Sequence, residues 1–124
     1  MTPLDLNLTV LYVEDPVRSG AFYRDLLGVE TVASSEGFTA VPLAGGRMLG
    51  LWRKTVVKPE PQGGVGGFEI GVMVPGDDGV ADRYASLQGA GHDILQPMTT
   101  MDFGPTFVIR DPDGHRVRFC QPDA

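Results

Sequence analysis

The chain has 124 residues, 42% of them hydrophobic, and a formal net charge of −6. This suits one ordinary domain with a real core, and no apolar run of about 18 residues exists to form a transmembrane helix. The ten basic residues are scattered, which argues against nucleic acid, and the single cysteine, Cys120, excludes an internal disulfide framework and a cysteine-based zinc cage.

Leu6–Val13 (LNLTVLYV) reads as a strand of apolar and β-branched residues. Asp15-Pro16 then opens a helix, because Asp caps a helix N-terminus and Pro suits its first turn. The helix runs over Pro16–Leu27, with Val17, Ala21, Phe22, Leu26 and Leu27 near helical spacing and Gly28 as its C-cap. Three short strands are expected next, over Glu30–Ser34, Phe38–Pro42 and Arg47–Arg53. Lys54–Gly67, rich in Pro and Gly, reads as a mobile connector. Phe68–Val74 is a strand and Asp77–Gly89 a helix with Val80, Tyr84 and Leu87 on one face. Strands over His92–Gln96 or a little beyond, Thr106–Arg110 and Arg116–Gln121 complete the second set, the last two joined by a tight DPDG turn at Asp111–Gly114. The N-terminal MTPLDLNLTV has neither a basic n-region nor an apolar h-region, so a cytoplasmic protein is expected.

Strand, helix and three strands therefore occur twice. The expected fold class is α+β: two βαβββ modules, residues 1–55 and 68–124 around a linker at 56–67, forming curved mixed sheets around a cavity.

LYVEDPVRSGAFYRDLLG resembles the first strand–helix unit of the vicinal oxygen chelate (glyoxalase/bleomycin resistance/dioxygenase) superfamily, and FVIRDPDGHRVRF resembles its closing hairpin. MLGLWRK, FEIGVMV and the DPDGHRVRFC ending are most similar to the phenazine-antibiotic resistance branch. The resemblance implies a glyoxalase-like fold, a homodimer and, in this branch, metal-free binding of a planar aromatic antibiotic. Metal-dependent members carry four inward ligands, and alignment on VED and DPDG places those positions at Leu8, Gly50, Glu69 and Arg118. Leu8 and Gly50 offer no donor, and Arg118 is a permanent cation. A catalytic metal needs about three protein ligands, so neither metal nor other cofactor is expected. His92 and His115 read as solvated or turn-satisfied.

Strand alternation then assigns faces. Leu8, Val10 and Tyr12 share one side, as do Met48, Gly50 and Trp52, then Glu69, Gly71 and Met73, and finally Arg116, Arg118 and Cys120. Leu49, Leu51, Ile70, Val72, Val117 and Phe119 face the helices. The candidate ligand-binding residues are Trp52, Tyr12, Glu69, Arg118, Met48, Gly50, Gly71, Met73 and Leu8. Met101 and Phe103 join them from a loop over the cavity. Trp52 offers a flat face for stacking, the methionines adapt to varied rings, and Gly50 and Gly71 leave room for a flat ligand. Glu69 and Arg118 either pair with each other or meet the ligand, Arg118 through a carboxylate or carbonyl and Glu69 through a donor.

No GxSxG elbow occurs, GGVGG precedes a strand rather than a helix, and Cys120 has no evident His partner, so no catalytic residue is assigned. Sequestration of a small aromatic ligand is the leading reading. The alternative is a metal-free isomerase or lyase, or a glyoxalase-family enzyme, acting on a small aromatic or carbonyl substrate in the same cavity.

Overall fold

A computed structural model describes residues 2–30 and 32–122. The chain divides into two compact units at Gly63/Gly64. The first holds β1 (Leu8–Val13), α1 (Pro16–Leu27), β2 (Ala33–Ser34), β3 (Phe38–Pro42) and β4 (Met48–Arg53). The second holds β5 (Glu69–Met73), α2 (Gly79–Gly89), β6 (Ile94–Met101), β7 (Gly104–Arg110) and β8 (Arg116–Cys120). Each unit is a four-stranded mixed sheet with one helix, ordered β1-β4-β3-β2 in the first and β5-β8-β7-β6 in the second.

In the first unit, α1 starts where the Asp15 carboxylate accepts hydrogen bonds from the backbone N–H groups of Val17 and Arg18, at 3.1 and 3.2 Å. It ends at Gly28, whose φ of 70° is the left-handed conformation glycine adopts without strain. The helix buries Pro16, Ser19, Gly20, Tyr23 and Leu26. That face is rotated from the expected one, and Val17 is 54% exposed. The cause is close approach to the sheet. Ser19 and Gly20 are small, and a Cβ on Gly20 would stand 2.6 Å from the Thr39 methyl. Beneath the helix lie Leu11, Thr39, Val41, Leu49 and Leu51, all buried. Tyr23 is fully buried with them, worth about 1.5–3 kcal/mol for a side chain of that kind. The buried Thr39 hydroxyl donates to the Pro16 carbonyl at 2.7 Å, which ties β3 to the start of α1.

In the second unit, Val80 and Leu87 of α2 are buried and Tyr84 meets Phe107 edge-on, with ring centroids 5.1 Å apart. Phe107 stacks in turn on Phe119 at 4.7 Å. Ile109 and Val117 complete this helix-facing side, both fully buried. The DPDG turn is held by the Asp111 carboxylate, which accepts from the backbone N–H of Asp113 at 2.9 Å and of His115 at 2.8 Å. Gly114 takes a φ of 92° there.

Several boundaries differ from the sequence reading. The second strand is reduced to Ala33–Ser34, and Thr31 of the expected span lies outside the described residues. The connector is not bare chain: Lys54–Val56 form a helical turn and Val57 is buried. The loop expected around Met101 and Phe103 is a β-hairpin instead. β6 runs through Met101, which pairs with Gly104 across a two-residue turn. Pro97 obscured that continuity, and the register shifts on both sides of Gln96 absorb the irregularity.

Candidate functional site

Each sheet has one face turned to its helix and one turned away, and the candidate residues lie on the latter. In the first unit, β1 pairs in parallel with β4, so Leu8 lies beside Met48, Val10 beside Gly50 and Tyr12 beside Trp52. β3 adds Phe38 opposite Trp52 and Ala40 opposite Gly50. The rings of Tyr12 and Trp52 meet edge-on, 6.3 Å apart at 75°. Leu8, Tyr12 and Met48 are exposed, and Trp52 is half-buried. This face is an apolar and aromatic surface without a charged side chain among those eight strand residues.

Gly50 does not provide the open space expected of it. A Cβ there would stand 2.7 Å from Cζ of Phe38, so the Phe38 ring covers the glycine, which is itself buried. The antiparallel pairing of Phe38 with Trp52 fixes its place on this face.

In the second unit, Glu69 lies beside Arg116, Gly71 beside Arg118 and Met73 beside Cys120. Arg118 is the centre of this face. Its Nε donates to Glu69 Oε1 at 2.6 Å, and its Nη1 donates to Gln96 Oε1 at 3.0 Å and to Thr106 Oγ1 at 3.1 Å. The guanidinium carbon lies 6.0 Å from the centre of the Phe103 ring, within cation–π range. The Arg118 and Glu69 side chains are 21% and 37% exposed, so the pair adds at most about 1 kcal/mol of stability. Its effect is orientation: three of the five N–H groups are held in place. Gly71 is exposed, and a Cβ there would meet nothing within 4 Å. Met101 lies near this cluster, its sulfur 3.6 Å from the Gln96 amide nitrogen. Met73 is 68% exposed.

Gln96 and Thr106 escaped the sequence reading. Thr106 was within reach, because counting back from the DPDG turn puts it opposite Cys120. Gln96 was not, since its place depends on the register shifts that flank it. A separate cavity of about 410 Å³ is lined by Lys54, Thr55, Val57, Lys58, Glu60, Pro61 and Gly63, and contains none of the candidate residues.

Residues 5–119 match the family model described as the Glyoxalase/Bleomycin resistance protein/Dioxygenase superfamily. The chain belongs to this superfamily. It is 34% identical to the phenazine antibiotic resistance protein EhpR of Enterobacter agglomerans, over 94% of this chain and 92% of that one. The solution structure of protein ATC0852 from Agrobacterium tumefaciens is similar at 38% identity and a TM-score of 0.84, covering 98% of this chain and all of that one. A glyoxalase-related enzyme from Fulvimarina pelagi shares the fold at a TM-score of 0.79 and 21% identity, covering 95% of this chain and 88% of that one.

The glyoxalase superfamily includes metal-dependent enzymes, and the resemblance placed their ligand positions at Leu8, Gly50, Glu69 and Arg118. The donors do not fit a divalent cation. Leu8 and Gly50 have no ligating atom, Gly50 lies under a phenyl ring, and the Glu69 carboxylate is engaged by the Arg118 cation. Among the described residues, no group of three His, Cys, Asp or Glu side chains gathers that would hold one.

Proposed function

We propose that this protein binds a planar aromatic small molecule of the phenazine-antibiotic kind without metal, and confers resistance by sequestering it. The observation that carries the reading is what stands at the metal positions. Leucine, glycine and an arginine–glutamate pair replace the ligands that chemistry on a bound cation would need, while the same sheet faces offer rings and directed hydrogen bonds. The extensive similarity to a phenazine antibiotic resistance protein supports the ligand class. Trp52 supplies a ring for stacking, worth about 0.5–1.5 kcal/mol beyond burial, with Tyr12 set against its edge. On the first unit Met48 and Leu8 lie on the face that carries Trp52, and on the second Met73 and Gly71 lie on the face that carries Arg118. Arg118, Glu69 and Phe103 supply polar and cation–π contacts.

The test is titration with phenazine, followed by quenching of Trp52, the chain's one tryptophan. Saturable, reversible quenching with the phenazine recovered unchanged by mass spectrometry is expected, and Trp52→Leu should weaken binding by about tenfold, measured by calorimetry. Absence of binding overturns the reading. Conversion of the bound molecule overturns sequestration in favour of a metal-free enzyme. The reading includes a homodimer, consistent with exposed apolar residues such as Leu8, Phe68 and Met73, and sedimentation at low concentration checks it.

A further inference from the structure

The hydrogen bonds around Arg118 restrict what polar group a ligand can present to it. A guanidinium has two edges that grip a carboxylate with paired N–H groups, one formed by Nε and Nη2 and the other by Nη1 and Nη2. Here each edge has lost a member. Nε is taken by Glu69, and both hydrogens of Nη1 are taken by Gln96 and Thr106. Nη2 alone donates to no described residue. A ligand atom meeting it therefore finds one nitrogen rather than a fork. The charge is also compensated. Glu69 sits on the Nε edge, so an acceptor placed on Nη2 comes to lie beside a carboxylate. A second anion there meets repulsion that opposes the attraction of the arginine. Glu69 uses Oε1 for the ion pair, and its other oxygen, Oε2, accepts from no described residue.

We infer that the Glu69–Arg118 pair reads an uncharged acceptor with a donor next to it, and that it selects aromatic ligands bearing a carboxamide over those bearing a carboxylate. This rests on the aromatic-ligand reading above and names the substituent. A primary carboxamide presents its oxygen to Arg118 Nη2 and its N–H to Glu69 Oε2. It satisfies both without breaking any hydrogen bond of the cluster. A carboxylate has no hydrogen for Glu69 and must displace it to obtain two N–H groups from the arginine. Gly71, directly beside Arg118 on β5, leaves the approach clear of side chain.

The test compares three probes by calorimetry at pH 7.5: unsubstituted phenazine, phenazine-1-carboxamide and phenazine-1-carboxylate, the last ionised at that pH. The expected order is carboxamide tightest, with the carboxylate at least about tenfold weaker than it. Glu69→Gln should shrink that gap to within about threefold, because the repulsion is gone; circular dichroism confirms that the variant is folded. Equal or tighter binding of the carboxylate by the unaltered protein overturns the inference, as does a gap that Glu69→Gln leaves unchanged. If phenazine itself binds in either case, the aromatic-ligand reading stands and only the substituent is wrong. If none of the three probes binds, both fall together.

Discussion

The ring of Phe38 lies across Gly50, and the space a Cβ would take at the glycine is 2.7 Å from the ring's Cζ. The two residues belong to paired strands, with Phe38 one pleat beyond Ala40, the direct partner of Gly50. Gly50→Ala should therefore push the ring aside. Because the atom in the way is the far end of a half-buried side chain, the cost should be about 1 kcal/mol, at the low end for overpacking. The double variant Gly50→Ala/Phe38→Ala should be more stable than the sum of the single changes. A double-mutant cycle from urea unfolding measures that coupling.

The same substitution should behave differently in the two helices. At Gly20 the new methyl meets Thr39, which cannot yield: it is fully buried and its hydroxyl holds both the Pro16 carbonyl and Ser34. Alanine gains about 1 kcal/mol in helix propensity, but overpacking of about 3 kcal/mol exceeds it, so Gly20→Ala should lower stability by about 2 kcal/mol. At Gly89 of α2 nothing lies within 4 Å, and Gly89→Ala should raise stability by up to about 1 kcal/mol. Thermal melts of the two variants should shift in opposite directions.

The DPDG turn gives a third expectation. Asp111 is 5% exposed and one of its oxygens accepts two backbone N–H groups. Asp111→Ala leaves both without that acceptor and should cost about 2–3 kcal/mol in urea unfolding. Asp111→Asn retains an acceptor oxygen and should lose less than half as much.

A fourth concerns metal. A ligand that binds only the folded state raises its stability. With leucine and glycine at two of the positions and an ion pair across the others, zinc or nickel at a few equivalents should leave the melting temperature where it stands in chelator, within about 1 °C. A rise of several degrees would return the chain to the metal-dependent side of its superfamily.

The face assignments were legible because alternation in a strand admits two choices, and the rows containing Leu49, Leu51, Val117 and Phe119 are apolar enough to settle which one meets the helix. The α1 face differs from the expected one because hydrophobicity favours Val17 and Phe22, whereas the contact is made by Ser19 and Gly20, whose small size admits Thr39. The surroundings of Arg118 were half legible. Strand alternation offers Glu69 as its mate, yet Gln96 reaches it only through an irregular strand, and Phe103 only because residues 101–104 turn as a hairpin. Contacts that depend on a bulge or a ring rotamer leave no periodic trace.

The two units share a strand order and a parallel register, so their positions can be laid over one another: Leu8 on Glu69, Met48 on Arg116, Gly50 on Arg118, Trp52 on Cys120. The frame repeats and its contents do not. One copy has become a greasy, ring-bearing plate and the other an ionic, hydrogen-bonding one. A repeat with identical contents would present one kind of surface twice; this chain carries two kinds on one frame.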